Sequence, residues 1–158
     1  MPTRAQAAAG LPPQHAGPRT RGMTLIELMV VVAIVAILST LAVGSYRRYV
    51  LRANRTDATS ALLRIQVGEE KFFLQNNTYT TNVTAAPPAG LGVASPTPNG
   101  FYNVTVVPDP NSTNSIATSF LATAAAQGTQ TQDTSCLTLT ITDQGQRSSA
   151  PSTTACWR

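Results

Sequence analysis

The chain has 158 residues, 42% of them hydrophobic but only 11% charged, with 11 Lys and Arg against 7 Asp and Glu. That length allows one or at most two domains, and the charged fraction is less than half of what soluble globular domains usually carry. Three of the basic residues (Arg4, Arg19, Arg21) precede residue 22, which leaves no concentrated basic platform for nucleic acid; one His, His15 in the same stretch, and 2 Cys exclude a His/Cys zinc site and a Ser-His-Asp triad in the body.

Residues 1–22 are rich in Ala, Pro, Gly, Gln and Arg and lack apolar periodicity, so a flexible leader is predicted there. From Leu28 to Leu38 every residue is apolar, and Glu27 is the one charge between Arg21 and Arg47. As a helix, the segment 23–46 would extend about 36 Å, enough to cross a hydrocarbon layer about 30 Å thick. No Pro interrupts the chain from Arg19 to Ala86, so one continuous helix to about Gln75, roughly 80 Å long, is expected. Past Arg47, Leu51, Ala58, Leu62, Ile65, Phe72 and Phe73 line up as the apolar stripe of an amphipathic helix. A helix of that length exceeds a compact domain of this size, so its first half should project from what its second half packs against. The group Asn76-Asn77-Thr78 marks the helix stop.

Residues 77–100 hold Pro87, Pro88, Pro96 and Pro98 among several Gly, the composition of an irregular connection. Beyond it, Tyr102, Val104 and Val106 alternate with polar residues, Ser119–Ala126 is a small-residue strand, and Leu137, Leu139 and Ile141 alternate with threonines. Asp143-Gln144-Gly145 is a turn signal before a return strand at Gln146–Ala150. The predicted fold class is α+β, a long N-terminal helix laid on a small antiparallel sheet so that both bury their apolar faces.

The string Gly22-Met23-Thr24-Leu25-Ile26-Glu27 allows three readings. It begins a cleavable secretory signal with a cut near Gly44, an uncleaved anchor, or an apolar segment kept on the mature protein after a cut before it. Glu27 bears on the choice. A carboxylate inside a membrane-length helix costs on the order of 2.5–3.5 kcal/mol, although near the interface it is cheap. A cut before Met23 would create an α-amino cation to pair with it.

Gly22-Met23-Thr24-Leu25-Ile26-Glu27-Leu28 with its apolar tail resembles the processing site of type IV pilins. The resemblance runs from Arg21 to about Tyr46 in detail and over the rest of the chain in layout; the first mature residue is Met23, where the family usually has Phe. It implies a pilin fold, cleavage between Gly22 and Met23 by a prepilin peptidase, and N-methylation of Met23. It also implies that Glu27 neutralises the terminal amine of a neighbouring subunit, setting register in a fibre of packed helices. The implied partners are other pilin subunits, the inner-membrane assembly machinery and, before assembly, membrane lipid. The implied organisation is a leader at 1–22, a membrane and fibre-core helix at 23–46, and a periplasmic head at 47–158, with no cofactor and no catalysis. Gly44 sits where family helices often weaken; close packing of membrane helices would explain it equally.

Cys136 and Cys156 read as one disulfide in an oxidising compartment or as two buried thiols. The family layout implies the former, fastening the last segment to the sheet. The Asn-x-Ser/Thr matches, those at Asn76, Asn82, Asn103 and Asn111 among them, are expected by chance in a chain this rich in Asn and Thr. Glu69-Glu70 reads as a solvated helix face, and Asp109, Asp133 and Asp143 are too sparse for a calcium cage. The arginines at 47–55 are placed to touch anionic headgroups or to mark the membrane boundary. The sequence therefore favours a structural pilus subunit, a major or minor pilin whose Cys156-Trp157 ending resembles the minor-pilin-like branch of the family, serving twitching motility, adhesion, DNA uptake or biofilm formation. A type II secretion pseudopilin and a secreted binding domain behind an ordinary signal are the alternatives.

Overall fold

The computed structural model describes residues 22–152 and 155–157, so the predicted leader, Arg4, Arg19 and Arg21 included, lies outside the described residues except for Gly22. The chain divides into two compact units, one ending at Ser39 and one running from Thr40.

Helix α1 spans Leu25–Asn76. Its start is made by Thr24, whose Oγ1 accepts the Glu27 N–H at 3.3 Å while its carbonyl accepts the Leu28 N–H at 3.1 Å. Thr24 is thus the N-cap, and Glu27 stands in the first turn, where a negative charge suits the helix dipole. The helix ends at Asn77, which takes φ 57° and donates its N–H to the Phe73 carbonyl at 2.8 Å. Asparagine tolerates the left-handed region better than most residues, which makes the Asn76-Asn77 pair an effective stop.

In the first unit, the helical residues up to Ser39 bury nothing: an 18-residue apolar window of mean hydropathy 2.7 is 0% buried. Leu25, Ile26 and Leu38 all stand exposed.

The second unit has its own core. Four strands, β1 (Tyr102–Val107), β2 (Leu121–Ala126), β3 (Cys136–Thr142) and β4 (Arg147–Pro151), form an antiparallel meander in the order β1-β2-β3-β4. Ala58, Ala61, Leu62 and Ile65 of α1 cluster with Tyr102, Val104, Val106, Leu139 and Ile141 of the sheet. Central strand β2 contributes Ala122 and Ala124 to this face, and Ala124 stands between Val104 on β1 and Leu139 on β3. A small residue flanked by larger ones lets a close-packed layer form without voids. Full burial of a side chain such as Leu62 contributes about 1.5–3 kcal/mol.

Two details differ from the sequence pattern. Leu137 is exposed while Cys136 is buried, because a bulge opposes two β3 residues to one on β4: Cys136 pairs with Pro151 and Thr138 with Ala150. The extra residue flips the side-chain alternation at the strand's start. The connection at 77–101 is irregular but not loose. Val83 and Val93 are buried, and the Val93 N–H donates to the Val83 carbonyl at 2.9 Å.

Candidate functional site

The N-terminal constellation is laid out linearly along exposed chain. Gly22, Met23 and Thr24 precede the helix, Met23 is 61% exposed, and Glu27 is exposed in the first turn. Gly22 is therefore in accessible, non-helical backbone. Thr24-x-x-Glu27 matches the sequence half of a capping box, and the Thr24 half of it is formed. Sequence reasoning missed this structural use of Thr24, which the Thr-x-x-Glu spacing signals, beside the register role expected for Glu27. Helix α1 continues through Gly44, where an added Cβ would meet nothing within 4 Å.

The other end of the chain is fastened twice. Cys136, opening β3, is joined to Cys156 in the 3-10 turn Ala155–Trp157, with Cα atoms 5.8 Å apart. Both cysteines are fully buried, and no free cysteine remains among the described residues. Trp157 then donates its indole N–H to the Ser148 carbonyl at 2.7 Å, and the Arg147 guanidinium lies 5.2 Å from its ring centroid. Disulfide, indole bond and cation–π contact together hold residues 155–157 against edge strand β4.

Sequence reasoning missed a polar hub between α1 and the 3-10 turn Gly128–Gln132. Gln130 is fully buried; its amide nitrogen reaches the Leu51 carbonyl and the Tyr102 hydroxyl, both at 3.0 Å, and its oxygen accepts from Asn54 at 3.1 Å. Beside it, Arg55 clasps Asp133 with bonds of 2.7 and 2.9 Å. Burial pushes the Tyr102 hydroxyl up to about 12, the Gln130 contact partly opposing it. Asp133 is thus half of an ion pair rather than an isolated acid. A second tie is Asp57, which accepts from Thr97 at 2.6 Å and from Asn99 at 3.2 Å and so fixes the end of the 77–101 connection to the helix.

Glu69 requires a correction. It does not share a solvated face with Glu70: its side chain is fully buried, while Glu70 is exposed. Its Oε2 accepts the Thr80 N–H at 3.0 Å, and its buried Oε1 has no hydrogen-bond partner. Desolvation raises its pKa from 4.5 to about 7, against the Thr80 bond, which lowers it. The position follows the buried stripe, since Leu62, Ile65 and Glu69 are spaced as one helix face. Among the described residues no group of His, Cys, Asp and Glu is placed to hold a metal ion.

The arrangement is of a definite class: an apolar helical segment that buries nothing in its own chain, led by an accessible Gly-Met-Thr-Leu-Ile-Glu string, together with a small disulfide-fastened α+β head. The family model described as the type IV minor pilin ComP, DNA uptake sequence receptor, matches residues 44–140, and the model of the prokaryotic N-terminal methylation motif matches residues 17–43. The fimbrial protein EcpC of Eikenella corrodens is 34% identical over 111 residues, covering 70% of this chain and 69% of EcpC. The type IV major pilin protein PilA of Myxococcus xanthus is 36% identical over 63 residues, covering 40% of this chain; the match spans only 29% of that relative's length. A solved type IV pilin from Shewanella oneidensis aligns with 22% identity and a TM-score of 0.47, over 68% of this chain and 98% of that one. The chain belongs to the type IV pilin family, the structural subunits of pili.

Proposed function

We propose that the chain is made as a prepilin, cut between Gly22 and Met23 by a prepilin peptidase, and methylated at Met23. Segment 23–46 then holds it in the inner membrane with the 47–158 head in the periplasm, until assembly moves the helix into a fibre core beside the helices of other subunits. Glu27 pairs there with the amine of a neighbour's first residue, since two charges removed from water are tolerable only together. The chain has no catalytic role in this reading. The observation that supports it most is the fully unburied apolar window of α1 directly behind the processing string, a surface that stays out of water only in lipid or against like helices. Intact mass of membrane-extracted protein tests it. The expected species begins at Met23, carries one added methyl group and lacks two hydrogens for the disulfide; a species starting near Ser45 or retaining the leader overturns the proposal.

The match of residues 44–140 to a DNA uptake sequence receptor favours a second, compatible reading, in which this subunit takes part in DNA uptake. Titrating the fibre or the membrane-extracted protein with duplex DNA of varied sequence tests it. Sequence-dependent retention is expected, and retention that disappears in moderate salt for every sequence alike refutes it.

A further inference from the structure

The head carries a basic cleft that the assembly reading leaves without a task. Arg48, Arg52 and Arg55 are spaced four and three residues apart, so they share one face of α1. With Ser45, Thr134 and Ser135 they line a cleft of about 470 Å³. Asp133 lies in the same cleft, but both of its oxygens are engaged by Arg55, and Gln130 adds a contact at 3.4 Å. Three guanidinium groups against one occupied carboxylate leave the cleft net positive. Arg52 spends its Nε on the Arg48 carbonyl at 3.2 Å, and Arg48 and Arg52 both stand exposed.

The same helix places an interface marker directly before this cleft. Tyr46 and Tyr49 are each 68% exposed, and Leu41 and Val43 are exposed before them. Tyrosines behind an apolar run favour the headgroup level of a bilayer. At 1.5 Å per residue, Arg48 stands about 3 Å beyond Tyr46 along the helix, inside a headgroup layer about 5–8 Å deep, and Arg52 about 9 Å beyond it, just past that layer, where its long side chain reaches back to it. Depth and charge therefore agree. We propose that the Arg48–Arg52 cleft binds the phosphate headgroup of an anionic membrane lipid while the subunit waits in the bilayer. The guanidinium forks suit a phosphodiester, and the hydroxyls of Ser45, Thr134 and Ser135 supply further donors. A zwitterionic headgroup brings its own cation into a cleft already positive, so it binds less well. The proposal rests on segment 23–46 spanning the membrane.

The test uses the full chain inserted into phosphatidylcholine nanodiscs containing a minor share of phosphatidylglycerol, followed by native mass spectrometry of the lipids that stay bound. Phosphatidylglycerol is retained in preference, and the double variant Arg48→Gln/Arg52→Gln lowers that preference roughly thirtyfold, the loss of two cations near an anionic surface. Removing equal charge elsewhere, by Arg64→Gln/Lys71→Gln, leaves it unchanged. An unchanged preference in the first variant, an equal loss in the second, or displacement of the lipid by equimolar inorganic phosphate or duplex DNA overturns the headgroup site. Alkaline carbonate extraction separates the underlying reading: a chain stripped from the bilayer overturns both, while a chain that stays inserted without lipid preference overturns the site alone.

Discussion

The substitution Glu69→Gln isolates the cost of a carboxylate held in the head's interior. The sign follows from the direction of the shift. Burial raises the folded-state pKa from 4.5 to about 7, so the fold favours the protonated form. Between those two values the unfolded chain has released its proton and the folded chain has kept it, and stability falls as pH rises. A difference of roughly two and a half pH units corresponds to a ceiling of about 3 kcal/mol at pH 8, absent below pH 4.5. The introduced amide keeps an oxygen for the Thr80 N–H and places its amino group where Oε1 already lacks a partner, so its own contribution is independent of pH. Urea unfolding of the detergent-extracted protein at pH 5 and pH 8, followed by near-ultraviolet circular dichroism, gives the difference between variant and wild type. The variant should gain on the wild type by about 1–3 kcal/mol between the two, using about 1.4 kcal/mol per pH unit as the upper slope. A difference that is the same at both pH values refutes the reasoning. The neighbouring Tyr79 hydroxyl, raised by burial and by the carboxylates of Glu70, Asp143 and Glu69, titrates well above this window.

Three further outcomes are expected. Glu27→Val should leave the cleaved, methylated mass intact but reduce the subunit's recovery in sheared fibres; wild-type recovery, in a background that needs this subunit, removes the pairing role. The double change Cys136→Ser/Cys156→Ser should lower head stability by about 3 kcal/mol in the chain-entropy account, read as the denaturant midpoint with and without reductant. Gly90→Ala should destabilise the 77–101 connection by about 1–3 kcal/mol, because its Cβ would stand 2.5 Å from the Asn82 carbonyl oxygen and 2.7 Å from that of Ala85; protease susceptibility of the connection checks it.

Much of the fold was legible because its elements obey the two side-chain periods. Ala58, Leu62 and Ile65 follow the helical stripe, and Tyr102, Val104 and Val106 follow the strand alternation, so burial falls where pattern puts it. The departures share a cause: groups supplied by distant chain. Glu69 stands on the stripe by spacing, yet its charge suggested solvent, and only the return of the chain at Thr80 supplies an N–H to it. Leu137 alternates correctly in sequence, and a bulge set by β4 turns it outward. Gln130 carried no signal at all, since its partners come from Leu51, Asn54 and Tyr102. Of the N-terminal string, the cap made by Thr24 was missed although its Thr-x-x-Glu spacing signals it, whereas the expected roles of Gly22, Met23 and Glu27 depend on molecules outside the chain.

The meander has a temporal consequence. Because β1, β2, β3 and β4 pair strictly with their sequence neighbours, no strand must wait for a distant mate. The sheet can zip up hairpin by hairpin in chain order. The last hairpin brings Cys136 close to the turn that carries Cys156, so the covalent lock joins the start of β3 to the turn that follows β4.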